Sequence, residues 1–296
     1  MTKTSKPIVF FGTEDFSATF LSALIDAGYF VVAVVTKPDS KKGRGQHLSE
    51  PLVKTIAKTH GIDVWQPEKL SDITERIATV RPVAGVLVSY GKIIPESIID
   101  LFTPGIINVH PSLLPRYRGP SPIESAILNG DSETGVSIMQ LVKAMDAGPV
   151  YSQVALPLVG TETKPELYEK LGKIGVTELL KVLPPILNED MRPTPQDNTK
   201  ATYCSLLMKQ DGLLDPLQQS SVEAERKIRA FIGYPRTRLP VEGTPFIITK
   251  AHSAPTPSSQ LDQKFTDGNY LVIDELITPT SGKSLTTEAF LRGYKH

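Results

Sequence analysis

The first part of the chain alternates short apolar runs, rich in β-branched residues, with segments whose apolar positions recur at the helical spacing. This alternation predicts repeated strand, helix and strand units. Because the runs are apolar at consecutive positions, they are typical of strands covered on both faces, and they predict a mostly parallel sheet of Rossmann-like α/β type. The predicted strands are Ile8–Phe11, Phe30–Val35, Asp63–Trp65, Ala84–Ser89, Gly105–Val109, Val136–Gln140 and Val150–Val154.

Helices are predicted between these strands around Leu21–Ile25, Val53–Ala57 and Ile73–Ile77, and a longer one from about Pro165 to Leu180. The long helix carries an apolar stripe at the spacing of a buried helical face. From Asn188 to Thr202 this periodicity is replaced by Asp, Arg, Pro, Thr and Gln, which indicates a linker.

The last part of the chain has a different sequence pattern. A helix is predicted over Ser221–Phe231, with Ser220 or Ser221 as its N-cap, and short strands follow between Pro, Gly and Ser residues. We interpret this part as a smaller, OB-like β-barrel domain. The predicted division is therefore a catalytic domain at 1–187, a linker at 188–206 and a C-terminal domain at 207–296. The predicted strands of the last domain are Phe246–Thr249, Tyr270–Ile273 and Ser284–Thr287.

The composition of the chain limits the classes of function that it can support. The 296 residues carry 32 basic and 32 acidic side chains, so a contact with nucleic acid must come from a local basic patch. Cys204 is the only cysteine, no Cys/His group has zinc-ligand spacing, and no G-x-G-x-x-G fingerprint follows the first strand. No signal peptide or apolar stretch long enough for a membrane span is present. We expect a cytoplasmic protein without a metal.

The segment Asn108-Val-His110 carries the first candidate chemistry. Both residues stand at the carboxyl end of a predicted strand, where ligands bind in parallel α/β sheets, and two residues apart they project to one face. An amide beside an imidazole offers an oxyanion donor and a proton acceptor, the groups that acyl transfer to an amine needs. Taken alone, Asn-x-His is more often a strand end with a capping histidine. We expect both side chains to face a solvent-accessible cleft.

The longer motif Asn108-Val-His-Pro-Ser-Leu-Leu-Pro-Arg-Tyr-Arg-Gly119 resembles the signature of the formyltransferases that use 10-formyltetrahydrofolate. The chain most closely resembles those that act on methionyl-tRNA. Its opening Val9–Phe16 and Met145-Asp-Ala-Gly148 are similar to the family's first strand and turn and its aspartate motif. The resemblance implies that Asn108, His110 and Asp146 form the catalytic set, although Asp146 alone would be taken for a turn aspartate.

The same resemblance implies two binding segments. The turn of Ser112, Leu113, Leu114 and Pro115 and the segment of Ser89, Tyr90 and Gly91 would contact the reduced folate, which serves as formyl donor. The Gly-rich basic loop at 39–47 would enter the acceptor stem of initiator methionyl-tRNA, with Lys41, Lys42 and Arg44 supplying charge. From composition alone, this loop is equally a solvated surface loop. The expected enzyme is a monomer.

Three alternatives remain open from the sequence. An amino-sugar or sugar-nucleotide formyltransferase would share the folate-binding half and the same catalytic residues. A 10-formyltetrahydrofolate hydrolase would use water in place of the amine. A non-enzymatic RNA-binding module with an inactive folate pocket would not need Asn108, His110 and Asp146 together, because these residues handle protons and an oxyanion.

Overall fold

The computed structural model describes residues 6–42, 47–82, 84–241, 243–278 and 282–293. The chain forms two compact units that are interleaved in sequence. The first unit comprises Met1–Pro120, Gly135–Leu156 and Tyr168–Tyr203, and the second comprises Ser121–Thr134, Pro157–Leu167 and Cys204–His296.

The strands are numbered in chain order. They are β1 (Pro7–Gly12), β2 (Phe30–Val35), β3 (Ser40–Lys42), β4 (His47–Ser49), β5 (Asp63–Trp65), β6 (Ala84–Val88), β7 (Gly105–His110), β8 (Glu133–Gln140), β9 (Val150–Pro157), β10 (Thr237–Val241), β11 (Thr244–Ala254), β12 (Gln263–Lys264), β13 (Tyr270–Ile277) and β14 (Ser284–Thr286).

The α-helices are numbered in the same way. They are α1 (Asp15–Asp26), α2 (Leu52–Thr59), α3 (Thr74–Val80), α4 (Glu96–Ile99), α5 (Pro122–Asn129), α6 (Lys164–Leu187), α7 (Ser221–Ala230) and α8 (Thr287–Gly293).

A seven-stranded sheet in the order β5-β2-β1-β6-β7-β8-β9 organises the catalytic half of the chain. The pairs from β5 through β7 are parallel, and β8 joins β7 in the antiparallel sense. Every residue of β7 is buried, as expected for a strand whose two faces are covered. The mostly parallel, Rossmann-like sheet predicted from the sequence is therefore confirmed.

The second unit contains an antiparallel sheet in the order β10-β11-β13-β12, with β14 paired to β13. Helix α7 begins with a capping box, in which the Ser220 hydroxyl accepts from the Glu223 N–H and the Glu223 carboxylate accepts from the Ser220 N–H. Apolar side chains of α7, the sheet and α8 form its core, including Ile228, Leu239 and Phe290.

Helix α6 and the basic loop are among the elements that differ from the sequence-based expectation. Helix α6 continues to Leu187 through Pro184 and Pro185, because Leu183 and Ile186 are buried and packing outweighs the proline penalty in the last turn. The basic loop expected at 39–47 is bounded by a short antiparallel hairpin of β3 and β4, in which Lys41 pairs with Leu48.

Candidate active site

Asn108 and His110 lie at the carboxyl end of β7, as the motif predicted. Their side chains are only 5% and 4% exposed, so the site is nearly closed to solvent at these residues, and the expected open cleft is not seen there. In such a water-poor setting, hydrogen bonds to a developing charge are stronger than in bulk water.

Asp146 approaches both residues from the loop that follows β8. Its Oδ1 lies 3.5 Å from the Asn108 Nδ2, and its Oδ2 lies 3.8 Å from the His110 Nδ1. The backbone N–H of Gly119 donates to the same Oδ2 at 2.8 Å. The structure thus brings the three predicted catalytic residues together around one carboxylate.

The loop around Asp146 is tightly packed against the end of β8. Gly148 has no room for a side chain, because a Cβ there would lie 1.9 Å from the Gln140 carbonyl oxygen. Asp146 itself has a φ of 46°, in the left-handed region that aspartate tolerates better than most residues. The close approach of the backbone places the carboxylate beside β7.

The hydrogen bonds of His110 fix its tautomer. Its Nε2 lies 2.9 Å from the carbonyl oxygen of Tyr117, which can only accept, so Nε2 carries a proton. In the neutral ring, the lone pair is then on Nδ1, the nitrogen that faces Asp146. His110 can therefore take up a proton at Nδ1, and the Asp146 carboxylate would stabilise the resulting cation.

The predicted folate turn at 112–115 is held by its own contacts. The buried Ser112 hydroxyl donates to the Arg116 carbonyl oxygen at 2.6 Å, and the Leu114 N–H donates to the Ser137 hydroxyl at 3.1 Å. Ser112 thus shapes the turn, whereas the half-buried Leu113 and Pro115 are the members that reach solvent.

The predicted folate segment at 89–91 follows β6. Ser89 and Gly91 both have positive φ, at 45° and 71°, and the Ser89 carbonyl accepts from the Thr13 N–H at 3.2 Å. The Tyr90 side chain is 1% exposed in the core, and burial raises its pKa to about 12. A ligand could therefore reach Tyr90 only through its backbone.

Two of the three predicted tRNA residues lie on strand β3 of the β3–β4 hairpin. Lys41 is exposed on β3 and Lys42 ends that strand, whereas Arg44 lies outside the described residues. At the base of the hairpin, Asp39 accepts from Gln66 and Lys54, each at 2.8 Å, and these bonds lower its pKa. Gln66 also donates to the Lys37 carbonyl at 2.8 Å. These hydrogen bonds hold the residues that precede strand β3.

The sequence did not point to Gln196, which contacts the Asp146 loop from the predicted linker. Its side-chain N–H groups donate to the carbonyl oxygens of Asp146 and Gly148 at 2.8 and 2.7 Å. Its oxygen accepts from Arg118, a residue 3% exposed, at 2.7 Å. Gln196 is half-buried between exposed neighbours, which only the folded chain reveals.

The other described surfaces have fewer features that could support binding or catalysis. A concavity of about 530 Å³ lies at the amino-terminal edge of the sheet, beside Pro7, Phe30 and Asp63, opposite the edge that carries His110. In the described part of the chain, no three or more His, Cys, Asp and Glu side chains are grouped to hold a metal. Within the same residues, no helix is long and apolar enough to span a membrane.

Comparison with known sequences identifies relatives over most of the chain. A model of the formyl transferase family matches residues 6–183. The methionyl-tRNA formyltransferase of Halorhodospira halophila is 40% identical over 247 residues, which cover 83% of this chain and 79% of that protein. The methionyl-tRNA formyltransferase of Sulfurihydrogenibium sp. is 35% identical over 302 residues and 97% of each chain.

Solved structures with the same fold include HypX from Aquifex aeolicus in complex with tetrahydrofolic acid. It matches with a TM-score of 0.65 and 16% identity, over 97% of this chain and 46% of that one. An N-formyltransferase from Helicobacter canadensis, in complex with folinic acid and dTDP-3-aminofucose, matches with a TM-score of 0.66 and 20% identity, over 90% and 98% of the two chains. At these identities the likeness concerns the fold alone.

Proposed function

The chain belongs to the formyl transferase family, among the methionyl-tRNA formyltransferases, and from this premise we propose that Asn108, His110 and Asp146 carry its chemistry. The enzyme transfers the formyl group of 10-formyltetrahydrofolate to the amino group of methionyl initiator tRNA. The observation that carries the assignment of the residues is the approach of one carboxylate, Asp146, to both Asn108 and His110.

The reaction begins when the amine lone pair attacks the formyl carbon. A carbon–nitrogen bond forms, the carbonyl electron pair moves to oxygen, and the Asn108 amide donates to the developing oxyanion. His110 accepts the proton that the amine nitrogen releases, at Nδ1, and Asp146 stabilises the imidazolium cation. When the tetrahedral centre collapses, the bond from carbon to the folate N10 breaks, and N10 takes the proton that His110 accepted, which returns His110 to its neutral form. The products are tetrahydrofolate and the formylated amine.

The folate substrate would lie along the turn at 112–115 and the segment at 89–91. Both segments leave carboxyl ends of adjacent strands, β7 and β6, which is where parallel α/β sheets bind ligands. The internally bonded turn supports contact through shape and through Leu113 and Pro115 more than through the Ser112 hydroxyl. The Tyr90 ring would support the pocket from the core.

For the acceptor, we propose that Lys41 and Lys42 on strand β3, together with Arg44, contact the tRNA. We also propose the division into a formyltransferase domain at 1–187, a linker at 188–206 and an OB-like domain at 207–296 that binds tRNA. The family match at 6–183 and the antiparallel sheet of β10 to β14 support this division. The acceptor is a translation substrate, so we expect the enzyme to act in the cytoplasm, as a monomer.

An acceptor assay tests the function. The full-length protein is incubated with 10-formyltetrahydrofolate and one acceptor at a time: methionyl initiator tRNA, methionine, a dTDP-linked amino sugar, or water alone. We expect formylation of the tRNA substrate, with the sugar and formate release slower by orders of magnitude. Preferred formylation of the amino sugar would replace the tRNA proposal, and formate release without an amine would favour the hydrolase.

The same assay tests the assigned residues. Asn108→Ala removes an oxyanion donor and should lower kcat by roughly 10²-fold to 10³-fold, about 3–4 kcal/mol of transition-state stabilisation. His110→Ala removes the base and should lower kcat by roughly 10²-fold to 10⁴-fold. Folate affinity and the unfolding temperature serve as controls. Turnover close to that of the unaltered protein in either variant would refute the role assigned to that residue.

A further inference from the structure

We propose that Gln196 is a positioning residue for formyl transfer, because its side chain holds the backbone that presents the Asp146 carboxylate to His110. This inference rests on the proposed roles of Asp146 and His110. It also means that residues 194–203, here called the strap, belong to the active site of the first unit instead of serving only as a connection.

The Gln196 amide makes hydrogen bonds with three residues through its nitrogen and its oxygen. Its Nε2 donates to the carbonyl oxygens of Asp146 at 2.8 Å and of Gly148 at 2.7 Å, on both sides of Ala147. Its Oε1 accepts from Arg118 at 2.7 and 3.1 Å. The orientation of the amide is unambiguous, since carbonyls only accept and a guanidinium only donates.

These contacts close a ring around the catalytic carboxylate. Arg118 is followed by Gly119, whose backbone N–H donates to the Asp146 Oδ2 at 2.8 Å. Arg118 in turn holds Gln196, and Gln196 holds the backbone on either side of Ala147. The carboxylate is thus fixed from its side chain by Gly119 and from its backbone by Gln196.

The backbone of Asp146 needs such a restraint. Its φ of 46° lies in the left-handed region, which is unfavourable for a residue with a side chain and persists where the surroundings impose it. Without Gln196, the carbonyl of Asp146 would lose a donor, and the peptide that follows it could rotate. The distance between Oδ2 and the His110 Nδ1, already 3.8 Å, would then no longer be held.

The strap is anchored at both ends, so it can present Gln196 accurately. Thr194 and Val150 exchange two backbone hydrogen bonds of 2.8 Å. Thr202 accepts from the Arg118 N–H at 2.9 Å through its carbonyl and from the Tyr117 N–H at 2.9 Å through its hydroxyl. The same segment therefore joins the loop that carries Asp146 to the loop that orients His110.

A double-mutant cycle tests the inference in the full-length enzyme. Gln196→Ala is measured alone and in an Asp146→Asn background, with kcat and the KM for the folate donor determined separately. We expect Gln196→Ala alone to lower kcat roughly 10-fold to 100-fold, the effect of misplacing a catalytic group by about 1 Å, with the folate KM within about threefold. In the Asp146→Asn background the same change should lower kcat less than about twofold, because its target is already impaired.

Two further variants separate positioning from stability. Gln196→Glu keeps an acceptor for Arg118 but replaces the donor to the Asp146 and Gly148 carbonyls, so it should lower kcat as Gln196→Ala does while the unfolding temperature is retained. Thr79→Ala is the control, because its hydroxyl also donates to a backbone carbonyl, that of Glu75 at 2.8 Å, on helix α3 and away from the proposed active site. Its kcat should stay within about threefold.

Three results would overturn the proposal: equal losses of kcat in the two backgrounds, a change confined to the folate KM, or full activity of Gln196→Glu. Each of these leaves the formyl-transfer function intact if the unaltered enzyme formylates methionyl-tRNA. An inactive unaltered enzyme would instead refute the proposed function. An Asp146→Asn variant with full activity would refute the role of Asp146 and, with it, that of Gln196.

Discussion

At the scale of single residues, one backbone carbonyl decides which nitrogen of His110 is basic. The carbonyl of Tyr117 accepts a hydrogen bond from the Nε2–H, and Tyr117 points this group at the ring from a left-handed conformation with a φ of 56°. The loop after β7 therefore sets the protonation pattern of the base before any substrate binds. Preorganisation of this kind means that the site needs no rearrangement of His110 when the amine attacks.

Tyr90 is a residue whose polarity the fold does not use. Among the described residues its hydroxyl has no hydrogen-bond partner, although the ring packs edge-on against Phe11 at 5.9 Å. Tyr90→Phe keeps the ring and removes the unsatisfied hydroxyl, so it should raise the free energy of unfolding by about 1 kcal/mol. Urea unfolding at neutral pH measures this, and a loss of stability would indicate that the hydroxyl has a partner.

The same variant has a defined pH dependence. Burial raises the pKa of Tyr90 from 10.0 to about 12 in the folded state, so the unfolded protein releases this proton first as pH rises. Below pH 10 the phenol is neutral in both states, and its ionisation does not lower the free energy of unfolding. Between pH 10 and pH 12 the phenol ionises more readily in the unfolded state, so the free energy of unfolding falls. Between these values, Tyr90→Phe should therefore lose less stability than the unaltered protein. Parallel curves for the two proteins would contradict the burial effect.

Asn108, His110 and Asp146 could be chosen from the sequence because their motifs resemble those of the formyltransferases, whereas Asp146 alone would have been taken for a turn aspartate. The periodicity also placed Asn108 and His110 at a strand end, and the structure places them there. Gln196 could not be chosen, because its partners are backbone carbonyls at Asp146 and Gly148, and their approach depends on the path of the strap. The sequence around a glutamine in a proline-rich stretch contains no pattern that predicts a buried contact.

At the scale of elements, the β3–β4 hairpin depends on a polar base. Asp39 joins Lys54 and Gln66, and Gln66 reaches the Lys37 carbonyl. If the hairpin engages tRNA, Asp39→Ala and Gln66→Ala should each raise the KM for methionyl-tRNA several-fold, because a less ordered hairpin loses more entropy on binding. The KM for folate should stay unchanged.

The sign of the Asp39 effect makes the test decisive. Asp39→Ala removes a carboxylate beside a polyanion, and this loss of negative charge should by itself tighten tRNA binding. A raised KM for tRNA would therefore reflect the loss of order in the hairpin. Gln66→Ala removes the same support without a change in charge, and Glu169→Ala on the exposed face of α6 removes a carboxylate elsewhere. A lower KM for tRNA in Asp39→Ala would show that charge, and not order, governs the hairpin.

Sequence patterns located most elements but not all of their extents. The apolar runs at 8–11 and 30–35 fall inside β1 and β2, since buried parallel strands have a strong local signature. Helix α5 was not predicted, because its start at Pro122 lies within a Pro-Ser-Pro sequence that also fits a loop, although proline is favourable in the first turn. Its end at Gly130, with a φ of 63°, is a common helix stop.

At the scale of the whole molecule, a protein without net charge must hold a polyanion through local patches. Acidic and basic residues balance at 32 each, so the proposed contacts at Lys41, Lys42 and Arg44 carry the electrostatic attraction. Three neutralised phosphates should lower the apparent tRNA affinity roughly 40-fold between about 50 and 200 mM salt. Arg44→Ala should reduce that dependence, with folate affinity as the control, and an unchanged salt slope would exclude Arg44 from the contact.

Several basic side chains early in the last part of the chain are engaged in contacts within the protein. Arg229 donates to the Glu162 carbonyl, and burial lowers its pKa. Arg236 and Arg238 donate to backbone carbonyls at Gly233 and Pro235. Arg229 also lies 3.7 Å from the Glu225 carboxylate, which offsets its charge. The carbonyls that accept from Arg236 and Arg238 carry no net charge, but these bonds fix the direction of the two side chains.

The interleaving of the two compact units in the sequence limits the changes that recombination can make to this protein. The chain passes from one unit to the other after residues 120, 134, 156, 167 and 203. Recombination at a single junction therefore cannot exchange one unit for that of a relative, because each unit is assembled from three separate stretches of the gene. A junction within residues 188–206 would carry the sheet of β10 to β14 but would leave Ser121–Thr134 and Pro157–Leu167 of the second unit behind.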